Sequence, residues 1–160
     1  MYTLYLLKFQ EDDFTDYFSL VSNEKVMAQI TEYVIPFEEA QSNFQKLLKR
    51  NEKHKHLGSY KIYDSSSNEF LGLGHLTLKE DNEVAEIGYM IKPQYWGKGY
   101  GSEIAKVMVE KARKSDLKSL KAIIDPNNIA SRKILIKLGF VTEMVGVIDG
   151  LPGEILSKKL

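Results

Sequence analysis

The stretch Pro93-Gln94-Tyr95-Trp96-Gly97-Lys98-Gly99-Tyr100-Gly101-Ser102 decides the fold. Its three alternate glycines follow the apolar run Ile87 to Ile91 and lead straight into a helical pattern. Without a Cβ, glycine lets a ligand approach the main chain. The free N–H groups of a helix start carry partial positive charge, so this junction is a natural phosphate seat. Tight turns use the same residues, so the surrounding chain must say which it is.

Upstream of the junction, residues 83–91 read as a strand, and two more strands precede it at 58–64 and 69–78. The turns at 65–68 and 79–82 make these three an antiparallel meander. Residues 2–9 read as a first strand, followed by a helix opened by Glu11-Asp12-Asp13. Asn23 caps a short helix through Gln29, and residues 30–36 form a loop. A longer helix marked by Phe37, Ala40, Phe44, Leu47 and Leu48 then fades into the polar run Lys49 to Lys55.

Downstream, Ile104, Val107, Met108 and Ala112 fall on one helical face. A strand is expected at 117–125. Asn127 or Asn128 caps a further helix that Gly139 stops. The last pair of strands, 140–148 and 154–160, turns about Asp149-Gly150. The strand–helix–strand unit from 83 to 125 should be parallel. This predicts one domain over 1–160, an α/β fold of α+β type. Its mixed, mostly antiparallel sheet has about seven strands with helices flanking it, and the glycine turn sits at the carboxyl end of a central strand.

Composition narrows the function. Lys plus Arg equals Asp plus Glu at 22 each, which argues against nucleic acid as the main partner. With Cys 0, thiolate nucleophiles, disulfides and Cys-based metal sites are excluded, and no metal is expected. No apolar run approaches the ~20 residues of a membrane span, and the start lacks a signal-peptide layout. The expectation is a soluble cytoplasmic protein with no membrane partner, either a monomer or a homodimer.

Among phosphate ligands, a nucleotide triphosphate loop would need Gly-Lys-Ser/Thr, which is absent here. A dinucleotide fingerprint fits poorly. Its third glycine would fall at Ser102, and three antiparallel strands precede the turn where such a fold would begin.

WGKGYG (96–101) opening a helix, with NIASRKILIKLGF (128–140) downstream, resembles the GNAT superfamily of N-acetyltransferases. The agreement is nearest to the Rim-type ribosomal-protein acetyltransferases and covers essentially the whole chain. The resemblance implies a GNAT-like fold and acetyl-CoA as cosubstrate. The family's Gln/Arg-x-x-Gly-x-Gly/Ala pattern lies over Trp96 to Gly101. Backbone N–H groups of Gly97, Lys98, Gly99, Tyr100, Gly101 and Ser102 would hold the pyrophosphate. Trp96 replaces the usual Gln or Arg, as in Rim-like members. Asn128 and Ser131 match residues along the pantetheine arm, and a backbone N–H near Ile91 would stabilise the oxyanion where the central strand parts from its parallel neighbour. Glu32 and Tyr33 belong to the loop that covers the acceptor, a small amine or a protein N-terminus.

Acetyl transfer to an amine needs a free amine, an oxyanion site and a proton for the thiolate. A lysine-like amine with a pKa of about 10.4 costs about 4.6 kcal/mol to deprotonate at pH 7, and an α-amine near 8 about 1.4 kcal/mol. Glu86 is the candidate base, as the only carboxylate in 84–91; the competing reading is an edge glutamate in water or paired to a lysine. Ser131 is the candidate acid, directly or through water, or else a small residue packing beside the ligand. The tyrosine that many members carry four residues later is here Leu135. Tyr89 alternates away from Glu86 and reads as core packing, His54 and His56 as solvated surface, and His75 as a core or cleft histidine. Direct attack in a ternary complex is expected, since no cysteine is available for an acetyl-enzyme. The alternative is an acyl-CoA-binding module without catalysis.

Overall fold

The computed structural model describes residues 2–160. The chain opens with β1 (Leu4–Lys8), a 3-10 turn at Glu11–Asp13 and α1 (Phe14–Val21). Asn23 then caps α2 (Glu24–Met27), its side-chain oxygen accepting from the N–H groups of Lys25 at 2.9 Å and Val26 at 3.1 Å. This helix ends short of Gln29. The N–H groups of Ile30, Thr31 and Glu32 all fold back onto the Met27 carbonyl, and Glu32 takes a φ of 68°.

The next helix, α3 (Phe37–Lys53), runs through the polar stretch where the pattern faded. Asn51 explains the extension. Its side chain accepts from the Ser59 N–H at 2.7 Å and donates to the Ser59 carbonyl at 3.1 Å. A polar residue thus docks the helix end where an apolar face would otherwise be needed.

The meander follows as β2 (Gly58–Asp64), β3 (Phe70–Leu78) and β4 (Val84–Ile91). After a 3-10 turn at Pro93–Tyr95 come α4 (Tyr100–Arg113), β5 (Ser119–Ile124), α5 (Ile129–Lys137), β6 (Val141–Ile148) and β7 (Leu151–Lys159). The final strand begins earlier than Glu154 because Pro152 is tolerated. It faces Val147 across the hairpin, in register just after the closing pair Ile148 and Leu151. There its nitrogen points away from β6, beyond the last β5 pairing at Glu154, so no ladder bond is lost.

The seven strands form one sheet in the order β1-β2-β3-β4-β5-β7-β6. Only β4 and β5 are parallel, as the strand–helix–strand unit required. Each face carries its own core. Ile104, Met108 and Leu135 from α4 and α5 pack on one side with Ala85, Ile87 and Leu120. Leu20, Met27 and Phe44 from α1, α2 and α3 pack on the other with Phe9 and Leu73. Each buried Leu, Ile, Met or Phe among these contributes roughly 1.5–3 kcal/mol. β4 lies between the two cores, and that position makes its free end the place where both faces are reached at once.

Candidate active site

β4 and β5 pair only from Val84 opposite Ser119 to Glu86 opposite Lys121. Beyond that the strands part, and residues 87–91 have no β5 partner. The phase of the β3–β4 ladder fixes which amides face the opening. Lys79 N–H donates to the Val84 carbonyl at 2.8 Å, and Lys92 N–H to the Leu71 carbonyl at 2.9 Å. With the register between them, His75/Gly88 and Leu73/Met90 are hydrogen-bonded pairs, because such pairs alternate along an antiparallel ladder. The N–H groups of Tyr89 and Ile91 therefore point away from β3, into the gap.

The glycine turn closes one end of this gap. Gly97 and Gly99 hold φ values of 73° and 89°, a region that costs other residues about 1–2 kcal/mol. A β-carbon on Gly97 would meet nothing within 4 Å, and one on Gly99 only Tyr2 at 3.9 Å. The turn is thus open toward solvent. Gly99 is the N-cap of α4 and offers no side-chain cap, so the first N–H groups of that helix are free for an anion. Gly101 has a different task. A β-carbon there would lie 3.0 Å from Ile134 Cδ1, so its absence lets α5 close against α4.

A cleft of about 430 Å³ runs from this turn along β4, lined by Ile91, Trp96, Ser102, Asn128 and Ser131 among others. Asn128 caps α5 by accepting from the Ser131 N–H at 3.2 Å. The Ser131 hydroxyl lies 3.4 Å from the hydroxyl of Tyr89. On the far side of the gap a basin of about 530 Å³ is lined by Glu32, Tyr33, Glu86 and Asp125. A cavity of about 140 Å³ in the gap itself shares Tyr89 and Ser131 with the cleft and Glu86 with the basin. It joins the two.

Charge inside the gap is sparse. Glu86 Oε1 accepts from Lys79 Nζ at 2.8 Å. His75 lines the same cavity; burial holds its pKa below the usual value, against the opposing pull of Glu86. Burial also raises the Tyr89 pKa, while its bond to Ser131 works the other way. At neutral pH the gap therefore presents a neutral imidazole and a protonated phenol. One side of the opening can accept a proton and the other can give one.

A model of the acetyltransferase (GNAT) domain matches residues 3–141 of this chain. The chain belongs to the GNAT acetyltransferase family. The uncharacterized protein YkkB of Bacillus subtilis is 30% identical over 140 residues, 86% of this chain and 73% of that one. Among solved structures, the fold is similar to spermidine N-acetyltransferase from Vibrio cholerae, in complex with CoA and spermine. The TM-score is 0.81 at 18% identity, covering 98% of this chain and 95% of the other. RimL, a ribosomal L7/L12 alpha-N-protein acetyltransferase in complex with coenzyme A, gives a TM-score of 0.79 at 21% identity, over 99% and 94%. At these identities the likeness is one of fold. It is as good for the polyamine enzyme as for RimL, so the comparisons support the family and not the Rim-type subgroup. A dinucleotide-binding protein is not what this chain is.

Most of the residues expected from the GNAT resemblance line these connected spaces, and three at the turn also make contacts of their own. Trp96 lines the cleft, but its indole N–H donates to the Ile91 carbonyl at 2.8 Å, so the side chain ties turn to strand. Tyr100 turns its ring inward; its hydroxyl donates to Asp64 Oδ2 at 2.7 Å, which leaves only its backbone for a ligand. Lys98 is not among the cleft-lining residues, and its carbonyl accepts from the Tyr2 hydroxyl at 2.8 Å.

Tyr89 packs against the core as expected and His75 is the expected cleft histidine, and both also line the gap. Alternation does place Tyr89 on the face opposite Glu86, but the gap is open to both faces, and Tyr89 reaches it beside Ser131. His75 is a cleft histidine whose neighbour across the strand is Gly88. The glycine one turn of pleat beyond Glu86 was the available signal. Gln29, read as the end of the second helix, and Ile30, in the loop after it, line all three spaces; neither gave a signal, since α2 stops at Met27 and the turn beyond it carries no period.

Proposed function

We propose that the chain is an acetyl-CoA-dependent N-acetyltransferase that acts on a primary amine by direct attack in a ternary complex. The observation that carries this is the gap between β4 and β5, which joins a cleft ending in an open glycine turn to a basin with a carboxylate at its mouth. Coenzyme A in the RimL and Vibrio cholerae structures supports the same ligand here. The free N–H groups of Gly97 through Ser102 suit a pyrophosphate, and Asn128 and Ser131 suit the pantetheine arm. The bound cosubstrate supplies an activated acetyl thioester.

The Ile91 and Tyr89 N–H groups suit an oxyanion, worth about 2.7–4 kcal/mol per donor in such sites. Glu86 is the carboxylate of the acid–base apparatus on the acceptor side, and Glu32 and Tyr33 flank the amine. Tyr89, with Ser131 beside it, is the donor for the departing sulfur. The acceptor class is either a protein N-terminus, as for a Rim-type enzyme, or a small amine.

The test has two arms. Coenzyme A, and not NADPH, should raise the melting temperature. In a screen of polyamines, amino acids and N-terminal peptides with acetyl-CoA, thiol release should appear with at least one class and fall by about 10² or more in Glu86→Gln. Undiminished transfer in that variant removes the role of Glu86, and no stabilisation by coenzyme A removes the reading.

A further inference from the structure

His75 enters none of the roles above, yet β4 is shaped around it. It stands opposite Gly88 on the face that also carries Glu86. A β-carbon on residue 88 would lie 2.2 Å from His75 Nε2 and 2.9 Å from its Cδ2. The ring therefore occupies the place of a side chain on the central strand, and only glycine at 88 allows it. Nδ1 lies 3.0 Å from the Thr77 hydroxyl. That contact fixes the ring, and Nε2, with no hydrogen-bond partner among the described residues, is left toward the cavity shared with Glu86 and Tyr89. Glu86, by contrast, already holds Lys79 at 2.8 Å.

We propose that His75 Nε2 takes the proton released by the acceptor nitrogen, with Glu86 stabilising the imidazolium that forms; this rests on the acetyltransferase reading above. The acceptor enters as the free amine, its ammonium proton already lost to solvent; the nitrogen bonds to the acetyl carbon, the carbon–sulfur bond breaks, and the remaining N–H proton passes to Nε2. The departing sulfur takes the phenolic proton of Tyr89. His75 then loses a proton to solvent and Tyr89 regains one, so the products are an amide and a thiol with no redox change. The step needs the tautomer in which Nδ1–H donates to Thr77.

The charged groups facing the ring are Glu86 from β4, Arg50 from α3 and Lys79 beyond β3; burial and the two cations favour the neutral imidazole, and Glu86 opposes them. A base must be unprotonated, so the rate rises with pH through a limb lying below the ordinary histidine value. Removing the charge of Glu86 moves that limb lower still.

The experiment compares wild type, His75→Gln and His75→Ala with acetyl-CoA and butylamine as probe acceptor, alongside coenzyme A affinity by calorimetry. The expected result is unchanged coenzyme A affinity and a loss of about 10²-fold or more in kcat/KM. The limb below the ordinary histidine value should disappear, leaving only the rise set by the amine itself near about 10.4, and imidazole should partly rescue the alanine variant. As a readout independent of turnover, ¹⁵N imidazole spectra should show His75 protonated on Nδ1 and titrating below its ordinary value. They should also show it titrating lower again in Glu86→Gln. Retention of the acid limb in His75→Gln, or a proton on Nε2 in those spectra, overturns the inference alone. Failure of the wild-type chain to bind coenzyme A overturns the reading beneath it and the inference together.

Discussion

The hydroxyls of Tyr89 and Ser131 lie 3.4 Å apart, one carried by β4 and the other by α5, across the mouth of the gap. Leu135, at the position where many GNAT members carry a tyrosine, is buried in the core. A phenol thus reaches the cleft from the strand instead of the helix.

Tyr89→Phe should therefore lower kcat by about 10²-fold while coenzyme A affinity stays the same. The acid must be protonated, and burial raises its pKa, so wild-type activity is lost only as pH rises beyond the ordinary tyrosine value. In the phenylalanine variant that alkaline limb disappears. Steady-state rates across pH measure both effects. Equal rates for the two proteins above neutrality would remove Tyr89 from the chemistry.

Gly99 carries a φ of 89° with almost nothing near its missing side chain, so Gly99→Ala acts through backbone strain and not through a clash. Strain of about 1–2 kcal/mol corresponds to roughly 5–30-fold weaker coenzyme A binding if the turn relaxes when empty. Gly101→Ala should differ in kind, because its β-carbon meets Ile134 at 3.0 Å and α5 must move. It should lower the melting temperature as well as the affinity. Calorimetry and thermal melts on the two variants separate these outcomes.

Where chain order and period carry information, the sequence was legible. The turns at 65–68 and 79–82 revealed the meander, and the helix between residues 83 and 125 the parallel pair. The lining of the candidate cleft was legible along the glycine turn and at Asn128 and Ser131, because main-chain amides at a helix start need no knowledge of side-chain direction. It failed where two elements meet. Nothing local says that Tyr100 finds Asp64, that Trp96 finds the Ile91 carbonyl, or that His75 lies over Gly88. The extension of α3 was hidden for the same reason, since Asn51 is polar in sequence and structural only beside Ser59.

Tyr100 and Asp64 make a prediction about acid stability. The phenol's hydrogen bond, then the Ser66 N–H, holds the Asp64 carboxyl below its ordinary range. The carboxylate in turn pushes the Tyr100 pKa up to about 12. A carboxyl whose pKa is depressed on folding adds stability that is present above its unfolded value, about 3.9, and is lost as pH falls through its folded value. Tyr100→Phe should lower the melting temperature near neutrality, and the difference from wild type should shrink below about pH 4. Melts at a series of pH values test this; a constant difference would mean that the bond contributes nothing to the linkage.

Asn51 holds the end of α3 to the start of the meander through two bonds to Ser59, at 2.7 and 3.1 Å, and a longer one to the Phe9 carbonyl at 3.4 Å. Ser59 is buried, so Asn51→Ala leaves the Ser59 N–H unpaired away from water, while the Ser59 carbonyl keeps the Phe9 N–H at 3.3 Å. The expected cost is about 1–3 kcal/mol, or about 2–12 °C in melting temperature for a domain of this size. Asn51→Asp keeps the acceptor for the Ser59 N–H and loses both donors, so its loss should be intermediate. Neither change touches the gap, and acetyl transfer measured well below the melting transition should be unaltered. If the alanine variant melts with wild type, the helix end is held by Lys8, which donates to the Asn51 and His54 carbonyls, and by the apolar contacts of Phe44 and Leu47, and the Asn51 side chain has no energetic role.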